Sequence, residues 1–390
     1  MRKPKHIFYF ICLLIFAVIV SMLVFPHIYR ALLYKPEKEP IEPPAKIDPI
    51  GTQQTVVGEL DFALDSEGKY YTVLGLGTYV GTDVTIPDYY GGLPVKVIAE
   101  DAFKNFSQMT SVYIGENVET IGARAFFGCS SLTSVKLPLG VTEILDYTFA
   151  NCTSLTKVGT SENTTRVGMA AFKDCVKLCH IEFTEDIKYI GTDAFSGCAA
   201  LGVVDDEDAN RIKYLGYTKR DNFIATVILE VGKKDIGIYD IPHTVRVIYD
   251  EAFAECDLLT EIDLSAVVSI GNYAFSECSK LNNTCLTVDS PLEFIGERAF
   301  HECDALQGFI IPASVSEIGE RAFYGCQRIK SVTLSANLAK EEAVIGEKIF
   351  IGCKGITKVY FDGTSDMWEI ISSKNLSLPE TFTLEYQNND

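Results

Sequence analysis

The sequence predicts an α/β solenoid. Coils of about 23 residues stack, each with one short parallel strand and one short helical turn, and one transmembrane helix precedes them. Three observations carry this prediction. Phe103, Phe126, Phe149, Phe172 and Phe195 fall 23 residues apart, and the series resumes at Phe253, Phe275, Phe300, Phe323 and Phe350. Three residues after all but the first stands a cysteine (Cys129, Cys152, Cys175, Cys198, Cys256, Cys278, Cys303, Cys326 and Cys353), and three further on an aliphatic such as Leu132 or Ile329. Five residues before each Phe is Ile or Val, usually followed by Gly, as in Ile121-Gly122, Ile190-Gly191 and Ile318-Gly319.

Residues 1–30 read as a short cytoplasmic tail and a signal-anchor. Arg2, Lys3 and Lys5 precede an uncharged run from Ile7 to Phe25. At about 1.5 Å per residue this run just spans a hydrocarbon core about 30 Å thick. Phe25-Pro26-His27 offers no small-x-small cleavage site, which favours an uncleaved anchor over a removed signal. The expected disposition is a single-pass membrane protein, held through residues 7–25 with the repeats extracellular; secretion after cleavage is the alternative. Residues 31–54 form a stalk, with five prolines between Lys35 and Ile50.

Residues 55–78 are expected to cap the array as a hairpin turning at Asp65-Ser66-Glu67-Gly68. Coils fill 79–361. Ala125, Phe126, Cys129 and Leu132 step by three or four, placing them on one face of a helical turn. Asp101, Asp250 and Asn272 stand where a short acceptor caps such a turn. Gly128, Gly197, Gly325, Gly352, Asn105 and Asn151 stand where a left-handed residue ends it. The period then falls to two, as in Val135-Lys136-Leu137, Ile262-Asp263-Leu264 and Val332-Thr333-Leu334, which describes one strand per coil, closed in two coils by Pro138 and Pro312. Between Phe195 and Phe253 lies an enlarged coil at about 203–247. Its runs Phe223–Val231 and Ile236–Ile241 read as a hairpin around Gly232-Lys233-Lys234-Asp235. Residues 362–390, with Trp368, form the C-terminal cap.

The unit Ile-Gly-x-x-Ala-Phe-x-x-Cys-x-x-Leu-x-x-Val-x-Leu-Pro resembles the BspA-type leucine-rich repeat of bacterial surface proteins and of some parasitic protists. Tyr79 to Ile98, with Ile86-Pro87 and Gly92-Leu93-Pro94-Val95, is similar to that family's first coil, and Tyr360 to Thr364 with Trp368 to its closing unit. The resemblance covers about residues 79–370. It implies a leucine-rich repeat array and a role in adhesion or protein binding, with partners that differ among members.

A net charge of −19 excludes a phosphate-binding surface, since basic residues cluster only in pairs such as Lys233-Lys234; nucleic acid is not an expected partner. Stacked equivalents carry parallel Cα–Cβ vectors, so the nine in-register cysteines are expected as a ladder of free core thiols rather than disulfides. Cys175 with Cys179 alone approaches a zinc-ligand spacing, and reads as one sulfur in the core and one beside the strand. Cys179 and His180 are expected on opposite faces of a strand, which is wrong for a nucleophile and base. Neither these nor His6, His27, His243 and His301 belong to a catalytic pattern. Asp205-Asp206-Glu207-Asp208 lacks the ligand spacing of a calcium loop and reads as solvated. No catalytic, cofactor-binding or metal-binding residue is assigned, and the chain is not expected to be an enzyme.

In a solenoid the repeated apolar positions are structural and those between them are free to vary. The outward strand centres Tyr113, Lys136, Glu182, Asp263, Thr333 and Tyr360 are expected to form one column. Their mixed charge, with an aromatic at each end, suits an extracellular protein or glycan as well as it suits a solvated sheet face. The corresponding function is non-enzymatic adhesion-type binding, with a spacer or wall-associated element lacking a specific ligand as the alternative. The enlarged coil is a second candidate for function.

Overall fold

The computed structural model describes residues 58–204, 212–219, 222–232 and 236–387. The expected anchor and stalk, Cys12 and the acidic run at 205–208 lie outside the described residues. Among the described residues no helix is long and apolar enough to cross a membrane. Residues 56–217 and 224–390 cluster as one compact unit, the array itself; the other unit reaches the described residues only at the strand ends 218–219 and 222–223.

At the N-terminal end Asp61–Leu64 pairs antiparallel with Tyr71–Gly75. The Asp65 carboxylate closes their turn by accepting the N–H groups of Glu67, Lys69 and Tyr70. Those bonds favour the ionised form and hold its pKa low against the opposing effect of desolvation. Tyr71–Gly75 then pairs parallel with Leu93–Ile98, which hands the edge of the hairpin to the first coil.

Coils contribute two short parallel strands, where the sequence predicts one. The expected strand is present at Asp83–Ile86, Ser111–Ile114, Ser134–Lys136, Lys157–Gly159 and His180–Ile181, and again at Gly308–Ile310, Ser331–Leu334 and Lys358–Phe361. A second row runs through the Ile before the glycine: Thr120–Ile121, Glu143–Ile144, Arg166–Val167 and Tyr189–Ile190, then Val247–Ile248, Ser269–Ile270, Phe294–Ile295 and Glu317–Ile318. Two residues show no alternation, so this row has no periodic signature in the sequence. The glycine after it is needed for close approach: a Cβ at Gly319 would lie 2.2 Å from the backbone N of Glu297 in the preceding coil.

The expected helical turn is not a helix. Backbone φ is positive two residues before and two after the Phe, as at Arg124 (57°) and Gly128 (72°). The left-handed position after the Phe holds at all six residues named above. The one before it was not legible. This alternation aims every second N–H along the array: Arg124, Phe126 and Gly128 donate to the carbonyls of Asp146, Thr148 and Ala150 in the next coil. Cys129 and Leu132 bond three residues back, to Phe126 and Cys129. An isolated helical turn satisfies few of its own donors; pairing with the next coil satisfies them all along the stack. The caps change accordingly. Asp250 and Asn272 accept N–H groups from Asn272 and Glu297, one coil on, at 2.7 and 2.6 Å. Asp101 is itself left-handed, and its carboxylate holds Arg124.

These three rows enclose the core. The phenylalanines stack face to face in two columns, 103 to 195 and 253 to 350, with ring centroids 5.2–5.6 Å apart and planes within 20°. Each such pair contributes about 0.5–1.5 kcal/mol beyond area burial. Eight thiols stand 2.9–3.2 Å from the Phe carbonyl of the preceding coil, as Cys129 Sγ does from Phe103 O and Cys326 Sγ from Phe300 O. That carbonyl already accepts a backbone N–H, so the S–H fills its second lone pair. All nine core cysteines are buried, and none is in a disulfide.

The enlarged coil is built differently from the expectation. Its long strands are Ile212–Lys219 and Asn222–Val231, neighbours in one sheet, so the paired strands are not the expected Phe223–Val231 with Ile236–Ile241. Of the run 236–241 only Ile238–Tyr239 is a strand, paired parallel with Glu261–Ile262. Val231 replaces the missing phenylalanine: its N–H donates to Ala252 O, as each Phe of the two columns except Phe195 does to the coil after it. At the C-terminal end Thr383–Tyr386 adds a last parallel strand to Lys358–Phe361, and the helix Ser365–Ser372 sets Trp368 edge-on against Phe361.

Candidate functional site

The strand-centre residues fall on several ladders and not on one unbroken column. Tyr113 is opposite Thr85, and Lys136 is opposite Gly159, which is followed one coil on by Glu182 beside Gly216. Thr333 and Tyr360 are direct partners on another ladder, between Ile310 and Glu385. Asp263 adjoins the two-strand ladder of Ile238–Tyr239 with Glu261–Ile262.

Each has a local electrostatic setting. Lys136 Nζ is 3.7 Å from Glu116 and largely exposed. Partial burial, with Asp88 and Glu116 nearby, raises the Tyr113 phenol. The Glu182 carboxylate lies 3.5 Å from His180 Nε2, and hydrogen bonding to His180 holds its pKa below the usual range. Asp263 Oδ1 accepts the Ser265 N–H at 2.9 Å. Lys358 Nζ sits 5.3 Å from the Tyr360 ring centre and 2.8 Å from Glu385. Cys179 and His180 are both exposed, and Cys175 is buried. Cys179 Sγ continues a row of threonine hydroxyls, lying 3.5 Å from Thr156 O as Thr156 Oγ1 lies 3.0 Å from Thr133 O.

A second cluster joins residues on either side of the enlarged coil. Tyr189 packs edge-on against Phe294 at 5.2 Å, and the Arg166 guanidinium lies 4.1 Å over the Tyr189 ring. Lys188 Nζ meets Glu293 at 2.8 Å, and Asn272 Nδ2 donates to Thr192 Oγ1 at 2.6 Å. Tyr189 is raised by burial and by Glu317, against the opposing effect of Arg166. Burial pushes Asp250 up to about 6, opposed by the Asn272 N–H and aided by Glu251 and Asp193. Beside this contact lies a depression of about 260 Å³, lined by Glu143, Asp146, Arg166, Met169 and Tyr189. Sequence reasoning missed this cluster because Tyr189 and Phe294 are 105 residues apart. The irregular spacing after Phe195 marked where the register breaks but not what meets there.

A third group lies on the turn face of the coils at Phe275, Phe300 and Phe323. Tyr273, Arg298, His301, Glu302, Arg321 and Tyr324 surround a shallow depression of about 550 Å³. Among the described residues no group of three or more His, Cys, Asp or Glu is placed to hold a metal ion.

Comparison with known proteins returns one family and several solved structures. A sequence model of the BspA type leucine rich repeat region matches residues 93–216 and 246–375, with six copies. A leucine rich cell surface protein from Faecalibacterium prausnitzii A2-165 is 22% identical, with 83% of this chain and 98% of that chain covered and a TM-score of 0.36. The leucine rich repeat protein of T. pallidum is 23% identical over 57% of this chain and 87% of that one, with a TM-score of 0.39. The pneumococcal vaccine antigen PcpA is 21% identical over 83% and 76%, with a TM-score of 0.37. A search of curated proteins finds no match.

Proposed function

Because this chain belongs to the BspA-type leucine-rich repeat family, we propose that it is a non-enzymatic surface or secreted protein that binds an extracellular protein or glycan. The observation that carries this reading is the division of labour within each coil. Phenylalanine, cysteine and aliphatic positions are spent on the core, while at the strand centres Tyr113, Lys136 and Asp263 are exposed and Glu182, Thr333 and Tyr360 half-buried, residues the repeat does not prescribe. Lys136 and Glu182 are held by Glu116 and His180, so part of their ordering is complete before a ligand arrives. Residues 7–25 supply the membrane attachment in this reading, and the strand-centre residues Tyr113, Lys136, Glu182, Asp263, Thr333 and Tyr360 supply the contacts.

Immobilised full-length chain, exposed to extracellular-matrix, mucin and cell-surface preparations, tests the proposal. Saturable binding is expected. It should weaken by about tenfold or more when Lys136→Glu, Glu182→Lys and Asp263→Lys are combined, with the unfolding temperature unchanged. Absence of saturable binding across the panel would favour a passive spacer.

A further inference from the structure

The depression on the turn face is not a product of the repeat. Apart from Glu302, and Ile351 of the next coil, its residues occupy two positions of three successive coils. Two residues before the Phe stand Tyr273, Arg298 and Arg321; one residue after it stand His301 and Tyr324. In other coils the first position ranges from Ala170 and Asp193 to Arg124, Tyr147 and Lys348, and the second from Ala150 and Ser196 to Phe127 and Lys173, so a coil forms without bulk at either place. Tyr273, Arg298 and Arg321 are also left-handed, a conformation that disfavours large side chains.

The side chains hold one another. Arg298 Nη1 donates to the Tyr273 hydroxyl and lies 3.3 Å from Glu297. Arg321 Nε lies 3.4 Å from Glu320. The His301 and Tyr324 rings stack in parallel at 5.0 Å, and His301 Nδ1 is 3.3 Å from Ser276 Oγ. Only 27%, 21% and 32% of the Arg298, His301 and Arg321 side chains are exposed, so their positions are set in advance.

We propose that this depression binds a neutral glycan. Pyranose rings present an apolar C–H face, for which the His301–Tyr324 stack is a platform, and a rim of hydroxyls that each donate and accept. Arg298 and Arg321 supply donors, Glu302 an acceptor, and the Tyr273 and Tyr324 hydroxyls either. The Arg298 and Arg321 charges are offset by Glu297 and Glu320, and Glu302 lies 3.9 Å from His301 Nε2, which removes the net positive field an acidic sugar would require. The depression is shallow and its lining is mixed, with Ile351 and the Tyr324 ring beside charged groups, so a sugar meets both an apolar contact and hydroxyl partners there. This site is separate from the strand face and does not rest on the reading given to it.

The test is an array of neutral oligosaccharides ending in glucose, galactose, mannose or N-acetylhexosamine, with sialylated and sulfated glycans alongside, probed with the full chain. Saturable binding to a neutral class is expected. Tyr324→Ala and Arg321→Ala should each weaken it by about tenfold or more, and Tyr324→Phe by less, with thermal unfolding unchanged. The strand-face triple variant should bind the array normally. Binding confined to acidic glycans, binding to no glycan, or neutral binding that survives both alanine variants would overturn the proposal.

Discussion

The backbone N–H of Phe195 donates to the phenol oxygen of Tyr249 at 3.2 Å, with the two rings 5.9 Å apart. In the four coils before it, the same N–H donates to a carbonyl of the following coil, as Phe172 does to Ala194. The enlarged coil removes that carbonyl, and a side chain from 54 residues downstream replaces it. Tyr249→Phe therefore leaves a buried donor without a partner while keeping the ring. A loss of about 1–3 kcal/mol is expected in urea unfolding, with faster hydrogen exchange at Phe195. Unchanged stability and exchange would show that the phenol does not close the array.

The Phe columns should act as coupled neighbours. Phe300→Ala removes a fully buried ring that touches Phe275 and Phe323 at 5.2 and 5.3 Å and also meets Phe309. A cost of about 3–5 kcal/mol is expected. Because coils depend mainly on their neighbours, amides near residue 300 should lose protection before those near Phe126. Uniform loss of protection across the array would argue for one cooperative unit instead.

Phe and Cys registers made the stack, its period and the break after Phe195 legible, because each is a side-chain position repeated in chain order. The second strand row and the cross-coil bonds of the turn were not. They depend on backbone φ at residues as varied as Arg124, Tyr147 and Ala170, which share a conformation and no chemistry. The cluster of Arg166, Tyr189 and Phe294 is set by how coils meet across the enlarged one, and no local pattern encodes that. The candidate strand-face residues were legible as exposed positions, whereas the turn-face group around Arg298 was hidden among positions that vary from coil to coil.

Asp250 should make stability depend on mildly acidic pH. Its folded pKa, about 6, lies above the unfolded value near 3.9. Its favourable contribution is complete below pH 3.9 and is lost as pH rises through 6, above which a charged carboxylate is held in a poorly solvated place. Asn preserves the acceptor for the Asn272 N–H, as Asn272 itself accepts from Glu297. Asp250→Asn should therefore stabilise the protein at pH 7.5 by at most about 3 kcal/mol and confer no gain at pH 4. A destabilised variant at pH 7.5 would contradict this.

Alkaline pH should act through the thiols. Burial pushes Cys129, Cys175 and Cys198 up to about 12 and Cys152, Cys303 and Cys326 well above the ordinary value, and a hydrogen bond with Cys256, together with burial, raises Cys278. An unfolded thiol titrates near pH 8.5, so their contribution is full below that value and falls as pH rises toward the folded values. The urea midpoint should drop between pH 8 and 10, and less steeply when Cys129 and Cys175 are both replaced by Ala. A midpoint flat over that interval would contradict burial of protonated thiols.

Counting alkylated cysteines by mass spectrometry, in native and in denatured non-reduced protein, tests the stacked-coil account most directly. In the native chain Cys179 should react and the partly exposed Cys285 more slowly, while the nine core thiols stay unlabelled. After denaturation without reductant those nine should all become reactive. Rapid native labelling of the core positions, or four or more disulfides surviving denaturation, would contradict a continuous column of reduced thiols and with it the assignment of function to the exposed positions between.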